Sequence, residues 1–340
     1  MATTYAKDQP ADFKNEIRQI AITGAGGSIG KPLAEALLKT GKHTITALTR
    51  AGSQSTLPEG IRSVPVTYDD ESSLVSALTG QDALIITLPV KTAPDTQSKI
   101  VQAAAKAGVK YIMPNVWGCN ATNEELTSSV PHWEHLCDPF REIEKIGVSS
   151  WVALVNGFWY EHSLCLGPSG FGFDFAAKKL ILFDDGETKI NISTVEQCGR
   201  AVARLLSLKV FPEDENDESV TLSRWFNKPV FVSSFLISQK DMFESWKRVT
   251  GDTDEDWSIT RESSSDRFEK GLEMVRNGNP AAFVQTMYSR LFFPNGGGDY
   301  EHEHGLDNEA LGLSKEDLDT STKVAKAMLD RGYNYMTNRH

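Results

Sequence analysis

The strongest chemical signal in the chain is "ITGAGGSIGKP", residues 22–32, in which Gly24, Gly27 and Gly30 recur at every third position. The apolar "QIAITGA" before and through it has the pattern of a strand, and "GKPLAEALLKTG" after it has the pattern of an amphipathic helix closed by Gly41. A glycine turn between a strand and a helix has a specific use. Gly24 lets the chain turn sharply out of the strand, Gly27 lets the backbone approach a pyrophosphate, and Gly30 lets the helix lie close on the strand. Ser28 and Ile29 stand at the helix start, where free N–H groups and the helix dipole favour an anion. The chemistry implied is dinucleotide binding; the bland alternative is a tight turn with no ligand.

The second strand selects the dinucleotide. A site preferring NAD usually ends that strand with a carboxylate for the ribose 2′-hydroxyl. Here it ends "ALTRAGS", with Arg50 in that place, twenty residues after Gly30, and no carboxylate between Leu48 and Pro58. An arginine there can pair with a 2′-phosphate, and Ser53 can add a hydroxyl, so NADP(H) is the expected cofactor. A solvated surface arginine is the competing reading.

These residues need a scaffold that delivers strand ends to one edge. Six apolar strand patterns alternate with helical ones up to "SSWVALVNG", and "DALIITLP" has the continuous apolar character of a central parallel strand. The expected fold is α/β, a doubly wound parallel (Rossmann) sheet over residues 16–155, with 186–235 returning to it. Residues 156–185 and 236–340 are expected to form a smaller, mostly helical substrate or lid domain. Within these stretches "KKLILFDDGETKINIS" has the pattern of a hairpin turned at "DDGE", and Ser193 with Glu196 has the spacing of a capping box. "PNGGGDYEHEHG" has the composition of a flexible loop.

Composition limits the partners. The 340 residues carry a net charge of −11, which disfavours nucleic acid as a ligand. The four cysteines, Cys119, Cys137, Cys165 and Cys198, have no metal or disulfide-framework spacing. The polar N-terminus lacks a signal-peptide core, and no apolar run has the ~20 residues that span a bilayer. A cytoplasmic protein with no membrane contact is expected.

The quoted residues, together with "AAKAGVKYIMPNVWG" and "GVSSWVALVNGFWYEHSL", resemble the NmrA-like and isoflavone-reductase-like branch of the atypical short-chain dehydrogenases, most closely its fungal members. The resemblance implies the Rossmann fold and NADP(H). It also implies that Leu88 and Pro89 line the cofactor and that Asn115 lies near the nicotinamide. The branch includes NADPH-dependent reductases and regulators that bind the dinucleotide without catalysis. Ordinary short-chain dehydrogenases carry Tyr-x-x-x-Lys, yet none of the eight tyrosines here has a lysine four residues on. The lysine of the isoflavone-reductase branch would fall near Asp138, and no lysine lies between Tyr111 and Glu144.

Candidate acids therefore come from elsewhere. His132 and His135, in "PHWEHLCD", follow the fifth strand, and either could protonate a substrate. Asp138 occupies the lysine's place, and Tyr160 or His162 could donate a proton. Trp117, Trp133, Phe158, Trp159, Tyr160 and His162 are expected to wall a pocket for a planar substrate, the alternative being packing between the two parts of the chain. "EHEHG" offers His302 and His304 on one face of a strand but no third ligand, so a mobile surface segment is preferred to a metal site. Three functions stay open: an NADPH-dependent reductase of an aromatic or polycyclic small molecule in specialised metabolism, an NADP(H)-sensing regulator with a protein partner, and a cofactor-bound enzyme that guides a cyclisation or rearrangement.

Overall fold

The structure, a computed structural model, describes residues 4–333 except 54, 90 and 296. In the first half the chain runs β1 (Gln19–Thr23), α1 (Gly30–Lys39), β2 (Thr44–Arg50), β3 (Arg62–Val66), α2 (Glu71–Leu78), β4 (Ala83–Ile86), α3 (Thr96–Ala107), β5 (Tyr111–Met113), α4 (Glu124–Ser129), α5 (Asp138–Ile146) and β6 (Ser150–Val155). It continues through β7 (Phe158–Trp159), α6 (Tyr160–Leu164), β8 (Phe173–Asp174), β9 (Lys179–Phe183), β10 (Ile190–Ser193), α7 (Val195–Leu206), β11 (Lys228–Phe231) and β12 (Phe235–Ile237). The last elements are α8 (Gln239–Thr250), β13 (Ser258–Glu262), α9 (Ser264–Arg276), α10 (Ala282–Leu291), α11 (Tyr300–His304) and α12 (Leu318–Asp330).

Seven parallel strands form the main sheet in the order β11-β6-β5-β4-β1-β2-β3. The chain moves outward from β1 to β3, then returns to place β4 on the other side of β1, which makes the β1–β4 junction the topological switch point. Alternate strand residues feed two cores. Ile20, Ile22, Ile45 and Ile85 pack under α1 and α7, whereas Ala21, Leu48, Leu84 and Ile86 pack under α2, α3 and α5. β4, between β1 and β5, is buried along its whole length, as its apolar run requires.

The remaining elements build two three-stranded sheets, β12-β10-β7 and β13-β9-β8, around a third core that includes Tyr160, Phe171, Phe183, Trp246 and Tyr288. The expected hairpin does not form. β9 pairs with β8 and β13, and β10 pairs with β7 and β12, so the two strands flanking "DDGE" lie in different sheets. The turn itself is present, with Asp184 at φ 54° and Gly186 at φ 77°. It redirects the chain because Asp184 N–H bonds to Glu262 O on β13 instead of closing a ladder onto β10. β10 is drawn instead against the chain leaving β6. Gly157, at φ 64°, comes so close to Asn191 O that a Cβ would stand 2.0 Å from it. Within residues 186–235, β11 thus lies beside β6 and α7 lies on α1, while β10 belongs to the smaller sheet.

Two local expectations are also corrected. The cap of α7 is Thr194, whose Oγ1 accepts from Gln197 N at 2.9 Å, because Ser193 is the last residue of β10 and its hydroxyl turns to Val232 O. "EHEHG" is neither strand nor loose lid but the helix α11. Asp299 caps it, Tyr300 OH donates to Val232 O at 2.6 Å, and Glu301 exchanges hydrogen bonds with Asn191. The neighbouring Gly296, part of the expected flexible loop, lies outside the described residues, as do residues 334–340 of the expected second domain. No helix among the described residues is long and apolar enough to cross a membrane.

Candidate functional site

Two threonines join the strands at the switch point. Thr87 N–H donates to Thr23 Oγ1 at 3.0 Å, and Thr87 Oγ1 donates to Thr23 O at 2.7 Å. The glycine turn is folded against this pair. Gly24 adopts φ 66°, and a Cβ on it would stand 2.2 Å from Thr87 O. A Cβ on Gly30 would stand 2.2 Å from Gly24 O and 2.7 Å from Thr87 Oγ1. Both glycines are therefore required by packing, whatever the turn holds. Gly27 is different: its N–H closes the turn onto Gly24 O at 2.8 Å, and a Cβ there would meet only Gly24 O, at 3.2 Å. Helix α1 then starts with Ile29 as N-cap and no side chain capping it, so its N-terminal end is held by backbone alone.

The other expected cofactor residues surround this turn. Arg50 is exposed at the carboxyl end of β2, near the Tyr68 phenol. Ser53 N–H closes the following turn onto Arg50 O at 2.9 Å, and the loop continues until Ser55 Cβ and Thr56 O sit 3.0 Å from a Cβ placed on Gly26. The loop bearing Arg50 and Ser53 is thus seated beside the glycine turn. On the opposite side Asn115 ties two strand ends together: its Oδ1 accepts from Leu88 N at 2.9 Å and its Nδ2 donates to Leu88 O at 3.4 Å. Pro89 is exposed next to it, and Trp117 Nε1 donates to Ile86 O at 2.9 Å. Four strand ends, from β1, β2, β4 and β5, therefore deliver these residues to one edge of the sheet.

The aromatic residues separate into two groups. Phe158 stacks on Tyr288 at 3.8 Å with nearly parallel rings, and Tyr160 is fully buried, its hydroxyl 2.7 Å from Thr322 Oγ1. Burial pushes the Tyr160 phenol far above its ordinary range, so it is poorly suited to proton transfer. Trp133 packs with Leu126, Val130 and Phe268, linking the segment after β5 to α9. Trp159 and His162 instead line a trough of about 1020 Å³ that also reaches Ser28 of the glycine turn. His135 is 71% exposed and lies 3.0 Å from Asp138, which also pairs with Arg141 at the start of α5. His132, at φ 68°, tilts towards Phe283. None of His132, His135 and Asp138 lines the trough.

The trough contains a group that sequence reasoning missed. Glu161 is buried, accepts from Val195 N at 3.4 Å, and has its carboxyl pushed up to about 7 by burial, with Glu316 and Glu196 adding to the shift. Beside it His162, 2.7 Å from the Tyr333 hydroxyl, is pushed down to about 4 by burial. Thr87 was missed as well. Neither residue has a local sequence signature, since each acquires its setting from partners tens of residues away.

Residues 16–162 match the model of the NmrA-like family. The oxidoreductase aprR of Aspergillus flavus is 24% identical over 306 residues, covering 88% of this chain and 96% of that protein. Quinone oxidoreductase 2 of Escherichia coli is 30% identical over 196 residues, 55% of this chain and 64% of its own. The fold is shared with a crystal structure of isoflavone reductase, at a TM-score of 0.69 and 21% identity, over 89% of this chain and 97% of that one.

Two outcomes are expected. Gly30→Ala should destabilise the protein by more than about 3 kcal/mol, and Gly27→Ala by clearly less, when both are compared by denaturant unfolding without ligand. The second outcome concerns Glu161. Its folded value of about 7 lies above its ordinary 4.5. Folding therefore favours the protonated form, and that stabilisation is fully present below about pH 4.5 and lost as the pH rises through 7. Glu161→Gln should consequently gain stability relative to the wild type between pH 5 and 8, by up to about 3 kcal/mol. His162 opposes this trend in both proteins, because its depressed value costs stability as the pH falls from 6.5 towards 4, and it cancels from the difference. A difference independent of pH would contradict a neutral buried Glu161.

Proposed function

We propose that this chain, an NmrA-like protein over residues 16–162, is a cytoplasmic NADP(H)-dependent oxidoreductase that reduces a small or medium aromatic or polycyclic molecule in specialised metabolism. The observation that carries the reading is the glycine turn at the β1–β4 switch point beside the loop that begins at Arg50. The residues fit the cofactor. The turn between Gly24 and Gly30 leaves backbone amides at an uncapped helix start, where a pyrophosphate is favoured. Arg50 and Ser53 would hold the 2′-phosphate, and Leu88, Pro89 and Asn115 would border the nicotinamide end. When bound, NADPH supplies a hydride. Two curated relatives, one fungal and one bacterial, are named oxidoreductases, and the bacterial name specifies quinones, which are planar conjugated diones.

The chain's own contribution is to hold the dinucleotide at the strand ends and to supply a proton. The candidate proton donors are His132, His135 and Asp138, from the segment that follows β5. Of these, His135 lies 3.0 Å from the Asp138 carboxylate, which would orient its ring.

One observation favours a second reading, a regulator that reads the NADP(H) redox state and passes it to a protein partner. The wall expected for a planar substrate is occupied from within, Phe158 by Tyr288 and Tyr160 by Thr322. A regulator of this kind would distinguish NADP+ from NADPH by affinity or conformation.

Oxidation of NADPH in the presence of quinones and polycyclic ketones, followed at the nicotinamide absorbance, separates the two readings. The reductase predicts turnover that is slower with NADH, and Arg50→Asp should weaken NADPH by about tenfold or more, the loss of a charge-assisted contact. Tight NADPH binding without turnover across the panel would contradict the reductase. An unchanged NADPH preference in Arg50→Asp would contradict the 2′-phosphate contact.

A further inference from the structure

The trough between α1 and α7 has a construction that dinucleotide binding does not call for. At Gly199 the two helices nearly touch: a Cβ there would stand 2.9 Å from Pro32 O and 3.2 Å from the Ala36 Cβ. The close approach lays an apolar floor of Pro32, Ala36, Val195 and Ala203 between the helix walls. From above, the C-terminal half of α12 brings Val324 and Met328 to the same space, and Val324 remains 46% exposed at its mouth.

The charges in the trough are unequally satisfied. Each acid has its own partner. Glu35 lies 3.9 Å from Lys31, Glu196 pairs with Arg200 at 2.8 Å, and Glu161 accepts from Val195 N. Arg200 is further held by Glu316 at 2.6 Å. Lys42 donates to Ser207 O at 3.2 Å. Lys39 and Arg204, exposed on the last turns of α1 and α7, form no ion pair among the described residues. Trp159, His162 and Tyr333 line the same trough, and the buried Trp159 Nε1 has no hydrogen-bond acceptor among the described residues. The space is polarised: unpaired cations at the C-terminal ends of α1 and α7, and an apolar floor running towards an aromatic wall at Trp159. Along α1 the lining from Pro32 to Lys39 covers about 10 Å of helix axis, enough for an extended molecule.

We propose that this trough is a second binding site, for an elongated amphipathic anion whose acidic head pairs with Lys39 and Arg204 and whose apolar body lies on Pro32, Ala36 and Val195 beneath Met328. The assignment rests on charge complementarity and shape, not on the reductase reading, and it holds whether or not the cofactor is turned over.

Dodecanoate and the uncharged dodecanol serve as probes in calorimetric titrations. One site for dodecanoate is expected. The double variant Lys39→Glu/Arg204→Glu should weaken dodecanoate by about tenfold or more while leaving dodecanol unchanged, as the loss of an ion pair requires. Val324→Trp, which narrows the mouth, should weaken both probes. All three side chains are exposed, so the variants should keep the wild-type melting temperature and NADPH affinity. Absence of dodecanoate binding at millimolar concentration, or binding indifferent to the charge reversal, would overturn the proposal without touching the dinucleotide site.

Discussion

The contact on which the site depends is the one between Thr87 and the glycine turn. β1 and β4 are neighbours only because the chain reverses direction across the sheet between them, and the two threonines close that junction with paired hydrogen bonds. Gly24 and Gly30 then lie against Thr87 too closely for any side chain. This fixes where α1 starts and directs its uncapped N-terminus along the carboxyl edge of the sheet. The β2 loop carrying Arg50 is seated on the same turn through Ser55 and Thr56, and the β4–β5 clamp made by Asn115 borders it on the other side. A single steric constraint thus organises the whole candidate dinucleotide edge.

The segment after β6 divides its side chains between two settings. In "GFWYEH" the side chains of Phe158 and Tyr160 turn into the core of the smaller sheets, while Trp159, Glu161 and His162 turn towards α1 and α7. Aromatic content alone therefore overstated the wall available to a substrate, because half of it stabilises the domain. The half that lines the trough brings a buried carboxyl and a half-buried imidazole, shifted in opposite directions by the loss of water.

The sheet was legible in the sequence because its signals are local. Apolar strands, amphipathic helices and closing glycines recur in register from Gln19 to Val155. The family resemblance, the glycine turn and the position of Arg50 were legible for the same reason. The false hairpin at "DDGE" shows the limit of local reading, since the turn forms as expected but its two strands take partners from β13 and β12. Glu316 could not have been found either: it reaches the start of α7 from more than a hundred residues away, accepting from Thr194 Oγ1 at 3.0 Å. Thr87 and Glu161 gain their settings in the same non-local way. "EHEHG" misled because alternating residues suggest a strand, whereas the Asp299 cap and the buried Tyr300 make it a helix.

Calorimetric titration of the wild-type protein with NADPH and with NADH tests the central claim most directly, namely that the Thr87-braced turn and the Arg50 loop form one site selective for the 2′-phosphate. The account predicts a single site per chain with NADPH bound at least about tenfold more tightly than NADH. Equal affinities for the two nucleotides, or binding of neither, would contradict it.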